Sequence, residues 1–175
     1  MFRSPEHCLR VAFAFQELTI EPRNATGLVI EILRARRGMQ SDFDRVPSEL
    51  SQHDWHAQAA MAVSFTRRTL EPHPMLWAVV LAEYGFGLDA ALALQEVSLE
   101  AAPEAEEGRD RLIADALVAN LLRGRPGYRQ IADVFDIGLG PLARRAKKLR
   151  PVVLGLRDRA IVELLGPMRD AGLTA

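Results

Sequence analysis

Residues 128–149 read Tyr-Arg-Gln-Ile-Ala-Asp-Val-Phe-Asp-Ile-Gly-Leu-Gly-Pro-Leu-Ala-Arg-Arg-Ala-Lys-Lys-Leu. Apolar residues recur at helical spacing on both sides of Asp136-Ile137-Gly138, which predicts a helix, a tight turn and a second helix. In that arrangement Ile131 and Phe135 pack the first helix onto the second. Ala132 must be small because the second helix crosses there, and Ile137 plugs the turn. Leu142, Ala146 and Leu149 face inward. The opposite face carries Arg144, Arg145 and Lys148, with Lys147 at its edge. Asp136 stands where such a turn usually has glycine, and Asp tolerates left-handed backbone better than most residues.

Outward from this stretch, nearly every segment reads as helix. Ser4 caps a first helix with Pro5 at its first position, running to about Leu18. Asn24 caps a second helix through Leu28, Ile32 and Leu33, stopped by Gly38. Residues 39–50 are polar, contain Pro47 and read as loop. Ser51-Gln52-His53-Asp54 resembles a capping box and opens a helix with Trp55, Ala59, Ala62, Val63 and Thr66 on one face. Pro72 and Pro74 break it. Met75 to Tyr84 is almost wholly apolar, so it belongs in the centre of a core, and Gly85 closes it. Asp89 caps the next helix, to about Ala101. Pro103 and Glu104-Ala105-Glu106-Glu107 form a linker or an acidic first turn. An amphipathic helix through Leu112, Ile113, Ala116, Leu117, Asn120 and Leu121 stops at Gly124, and Arg125-Pro126-Gly127 is a turn. After Leu149, Pro151 starts a last helix. The expected fold is therefore an all-α multi-helix bundle with a C-terminal helix-turn-helix. A helical region at 1–102 precedes a helix-turn-helix region with its C-terminal helix at 103–175.

Charge is unevenly spread. The net value is −1. Residues 71–122 nevertheless carry two basic and ten acidic side chains, whereas residues 123–159 carry ten basic and three acidic. An acidic middle and a basic C-terminal third are the pattern of a chain that meets a polyanion with one part only. Arg34, Arg36 and Arg37, like Arg67 and Arg68, fall at predicted helix ends and suit the negative end of a helix dipole. The single cysteine, Cys8, excludes an internal disulfide or a cysteine-rich zinc module. No apolar stretch approaches the ~18 residues of a membrane span, and the N-terminus lacks a signal-peptide pattern, so a cytoplasmic location and no membrane partner are expected.

A helix with an inward apolar row and an outward basic row is what the major groove of double-stranded DNA accepts. Arg144, Arg145, Lys147 and Lys148 are the expected DNA-contacting residues. Arg129 and Gln130, at the entry of the supporting helix, are placed to touch the backbone. Leu139-Gly140-Pro141 at the start of the second helix offers no hydrogen-bonding side chain to bases, so phosphate binding is better supported than sequence readout. A competing reading takes Gly138-Leu-Gly140-Pro-Leu-Ala143 with Asp158 as a dinucleotide fingerprint. It needs strands at 131–137 and 152–156, and the first of these is too polar for a buried parallel strand. His53 and His56, three apart, lack the further ligands of a metal site and fit a surface role. No nucleophile–base pair or phosphate-cradling loop is present, so no catalytic residue, cofactor or metal is expected and an enzyme is not.

Three pieces together carry a resemblance. They are Asp54-Trp55-His56-Ala57-Gln58-Ala59-Ala60-Met61, Leu81-Ala82-Glu83-Tyr84-Gly85 and the 128–149 segment. The last is similar to the helix-turn-helix of sigma-factor region 4. The arrangement, over roughly residues 50–149, resembles the Q-type transcription antiterminators of phages and their prophage-derived, AlpA-like relatives. The resemblance implies binding to a promoter-proximal DNA element, engagement of a paused RNA polymerase and travel with it past terminators. Some members of that family carry a zinc-binding insertion, for which this chain lacks the cysteines. Two further readings of the same residues are a conventional dimeric repressor or activator, paired through residues 151–168, and a phage protein that binds and inhibits a host protein.

Overall fold

The computed structural model describes residues 2–17 and 52–175. The expected second helix at 24–38, the loop at 39–50, the Ser51 cap and Arg34, Arg36 and Arg37 lie outside the described residues. Among those described, seven helices follow one another and no strand is present. They are α1 (Pro5–Glu17), α2 (Gln52–Leu70), α3 (Pro74–Tyr84), α4 (Gly87–Ala101), α5 (Arg109–Arg123), α6 (Tyr128–Phe135) and α7 (Leu139–Asp170). The protein is an all-α helical bundle, and none of these helices is long and apolar enough to cross a membrane.

The chain divides into two compact units. One holds residues 1–68 and 168–175, the other residues 69–167. The expected division at 102/103 is thus replaced by boundaries at 68/69 and 167/168. The reason lies in α3. Leu76, Ala78, Val79, Val80 and Ala82 are all buried, so α3 needs cover on every side. It packs against both α4 and α5, and α4 packs against α5. Residues 69–102 therefore belong to the same compact unit as α6 and most of α7.

In the first unit, Ser4 caps α1 as expected: its Oγ accepts a hydrogen bond from the His7 backbone N–H at 3.2 Å. Almost the whole length of α1 from Cys8 to Phe15 is buried. Phe15 stacks on Trp55 with ring centres 5.5 Å apart, and His56 meets Phe15 edge-on at 5.7 Å. His56 therefore belongs to an aromatic cluster rather than to an open surface. The two ends of the described chain clasp. The Phe2 N–H donates to the Leu173 carbonyl, and the Ala175 N–H to the Phe2 carbonyl.

Cys8 is fully buried in this unit, and burial pushes its thiol up to about 12. An ionised thiol is disfavoured in the folded state but not in the unfolded one. Stability from this group is therefore complete below its ordinary value near 9 and falls as pH rises from there, by up to about 1.4 kcal/mol per pH unit. Native protein at pH 8 is expected to resist an aromatic disulfide reagent that labels urea-unfolded protein at once. Equal labelling rates in the two states would contradict the burial of Cys8.

In the second unit, helix ends follow backbone chemistry. A Cβ on Gly85 would stand 2.6 Å from the Leu81 carbonyl oxygen, so the stop after α3 must be glycine. Gly124 ends α5 in the left-handed conformation, φ 72°. Asp89 does not cap α4. The helix begins two residues earlier, after Phe86, and Asp89 sits in its first turn, where its charge favours the positive end of the dipole. The acidic run at 104–107 lies in the α4–α5 connection rather than in a first turn.

Pro151 does not start a new helix. It lies inside α7, which is continuous from Leu139 to Asp170. Leu142, Ala146, Leu149, Val153, Leu156, Ala160 and Leu164 are all buried and keep three- and four-residue spacing straight through the proline. An interior proline costs about 3 kcal/mol. Burying the four leucines and the valine of this row is worth roughly 8–15 kcal/mol, so the stripe carries the helix across. Pro151 is itself exposed, which leaves water to solvate the carbonyl that loses its amide partner.

Candidate nucleic-acid interface

α6 and α7 are joined by Asp136, Ile137 and Gly138 alone. The local chemistry sets both ends of α6. At its start, the Gln130 side-chain oxygen accepts the Gly127 backbone N–H at 3.0 Å, satisfying a donor that the first helical turn leaves open. At its end, Asp136 adopts the left-handed conformation with φ 43° and ψ 55°, as the turn requires, and the Ile137 N–H reaches back to the Ala132 carbonyl at 3.1 Å. Ile131, Ala132, Leu142, Ala146 and Leu149 are buried. Phe135 and Ile137 are only half-buried.

Helix α5 holds this arrangement from behind through cationic side chains aimed at helix C-termini. Arg109 donates to the Phe135 carbonyl and to the Asp136 carbonyl at 3.1 Å, at the end of α6. Arg111 donates to the Ser98 carbonyl at 3.2 Å in the last turn of α4 and to the Ala105 carbonyl at 2.9 Å in the connection that follows. Arg123 donates to the Ala82 carbonyl, at the end of α3. Each guanidinium thus meets a carbonyl in or just after the last turn of a helix, at the negative end of its dipole. Asn120, also on α5, donates to the Pro126 carbonyl at 2.8 Å and fastens the turn that leads into α6. None of these arginines stands out in the sequence, because their partners lie between 6 and 41 residues away.

The expected DNA-contacting residues separate into groups. Arg129 on α6 and Arg144 and Lys147 on α7 are exposed, and none has an ion-pair partner among the described residues. Lys148 is exposed too, but it stands at a cavity of about 180 Å³ whose walls include Glu104, Asp110 and Arg145, above Leu117 and Leu149. Arg145 departs from the expectation of a free outward cation. It is half-buried, and its Nη1 pairs with Asp110 Oδ1 on α5 at 2.8 Å. The apolar row on α7 faces the α5 side, and Arg145 sits at the margin of that row, within reach of the first turn of α5. Gln130 is exposed, but its oxygen is taken by the helix cap. Arg150, which the motif did not single out, is exposed and unpaired among the described residues. The basic face is thus centred on Arg144 and Lys147 rather than on Arg145.

Farther along α7, Arg157 Nε donates to Glu83 Oε2 on α3 at 2.8 Å. The buried Tyr84 side chain lies beside the pair. Burial first, then the neighbouring Glu83 carboxylate, push the Tyr84 hydroxyl above its ordinary value. Burial alone would lower the Arg157 value, but the Glu83 charge and the hydrogen bond to Glu83 outweigh it and hold the guanidinium above its usual range. The dinucleotide reading ends here as well. Residues 131–137 and 152–156, which it needs as strands, lie in α6 with its turn and inside α7. Compared with known proteins, the chain matches no protein-family model and no curated protein sequence.

Proposed function

We propose that this protein is a DNA-binding regulator of transcription that lays the first half of α7 against double-stranded DNA. One observation supports the reading most. Two helices joined by a three-residue turn expose Arg129, Arg144, Lys147, Lys148 and Arg150 while burying Ile131, Leu142, Ala146 and Leu149. A row of cations on a rigid helix is suited to phosphates flanking a groove. Leu139, Gly140 and Pro141 at the tip of α7 are exposed. They bring no hydrogen-bonding side chain, so direct base readout there is restricted to apolar contact such as a thymine methyl. The expected mode is antitermination: the protein holds a promoter-proximal element and modifies RNA polymerase as it leaves.

A second reading, a dimeric repressor or activator, draws on Val152, Val162 and Leu165, which α7 leaves exposed beyond the basic stretch. Such residues suit a self-complementary helix pair. Transcription in a purified system, from a promoter followed by a terminator, separates the two. Antitermination gives more read-through transcript at unchanged initiation. A change in initiation alone, with a dimeric mass in solution, selects the repressor or activator. No effect on either product, with no DNA binding at low salt, rejects both.

A further inference from the structure

Helix α4 has a second face that the core does not use. Ala90, Ala93, Val97 and Ser98 are buried. Leu88 is 73% exposed, Leu92 49% and Leu99 54%. With exposed Gln95 between them, these residues follow a four-three-four spacing, which is the seam of a two-stranded helical coil. At 100° per residue the four lie within a narrow arc. Asp89, Glu96 and Glu100 all fall on one flank of it. Each of the three is exposed and has no ion-pair partner among the described residues, and α4 contains no lysine or arginine at all. Exposed leucines in register are unusual on a surface unless something covers them.

The charge decides what that is. If two copies paired antiparallel through this face about a two-fold axis, carboxylates would meet carboxylates, and if they paired parallel the carboxylates would meet the uncharged Ala91 and Ser98 flank, so in neither case does α4 supply a cation to offset them. A partner that fits must bring cations beside its own apolar ridge. We propose that α4 is a docking strip for a basic amphipathic helix of another protein. That helix places leucine or isoleucine against Leu88, Leu92 and Leu99, and lysine or arginine against Asp89, Glu96 and Glu100. The strip stands independently of DNA binding, because no residue of α6 or α7 takes part in it.

The test uses the full chain and a fluorescent three-heptad peptide with leucine at the seam positions and lysine on both flanks. The control peptide has glutamate in place of lysine. The lysine peptide is expected to bind saturably and the glutamate peptide at least about tenfold more weakly. Leu92→Gln with Leu99→Gln changes no charge and no buried side chain. It is expected to weaken the lysine peptide by about tenfold or more while leaving the helical content, melting temperature and DNA affinity unchanged. Glu96→Gln with Glu100→Gln is expected to flatten the salt dependence of peptide binding. Two results overturn the proposal. One is lysine-peptide binding that is absent or indifferent to the leucine substitutions, since general attraction to an acidic protein would survive them. The other is self-association of the wild type that those substitutions abolish, which would give the strip to a second copy.

Discussion

Replacing Arg157 by methionine is expected to lower the unfolding free energy by about 3–5 kcal/mol, the usual result of removing one member of a buried ion pair. The Glu83 side chain is only 5% exposed, and without the guanidinium its charge stays inside the protein with no counter-ion at 2.8 Å. The methionine fills similar volume, so the loss reports charge more than a cavity. The double change Glu83→Met with Arg157→Met removes both charges and is expected to recover most of that loss, which makes the pair a coupled unit in a double-mutant cycle. The guanidinium value is raised in the fold, so its contribution is fully present below the ordinary arginine range and is lost only as pH rises above it. The guanidinium is therefore charged in the wild type throughout pH 6 to 9. Urea unfolding of the four proteins measures the loss. A single variant within about 0.5 kcal/mol of wild type would show that the pair is worth no more than a surface contact. Because α7 carries both Arg157 and the basic face, this pair also ties the candidate DNA-binding helix to α3.

Removing Arg144, Lys147 and Lys148 together, each to alanine, is expected to lower affinity for double-stranded DNA on the order of a hundredfold near 100 mM salt. The slope of log affinity against log salt should fall by about 2.7, since each neutralised phosphate contributes roughly 0.9. The three side chains are exposed, so stability should stay within about 0.5 kcal/mol of wild type. Arg145→Ala alone is expected to behave differently. Its charge is already engaged by Asp110, so the salt slope should change less than in Arg144→Ala. Fluorescence anisotropy over a salt series reads both quantities. An unchanged slope in the triple variant would remove these residues from the DNA interface and with them the proposed function.

Much of the fold could be read from local pattern because it is locally determined. The Ser4 cap, the apolar helix from Pro74 to Tyr84, the stop at Gly124, the short helix at 128–135 and the left-handed Asp136 all depend on residues within one or two turns of each other. The buried row of α7 follows from helical spacing alone. The continuity of α7 through Pro151 could not be read that way, because a proline is a local signal to stop and the burial that overrides it comes from other helices. The grouping of 69–102 with the C-terminal helices escaped for the same reason: the acidic connection at 102–108 resembles a linker until α3, α4 and α5 are seen to share a core.

The sequence by itself determined that this is a helical protein, where most of its helices begin and end, and that cations gather on the outer side of the helix after residue 138. Periodicity and capping act over a few residues, so they are written in the order of the chain. Only the tertiary structure decided which of those cations are free. Arg145 is drawn to Asp110, Arg157 to Glu83, and Arg109, Arg111 and Arg123 to the carbonyl ends of three other helices. A long flexible side chain takes whatever partner the packing brings within about 3 Å, and packing joins residues that the sequence holds far apart.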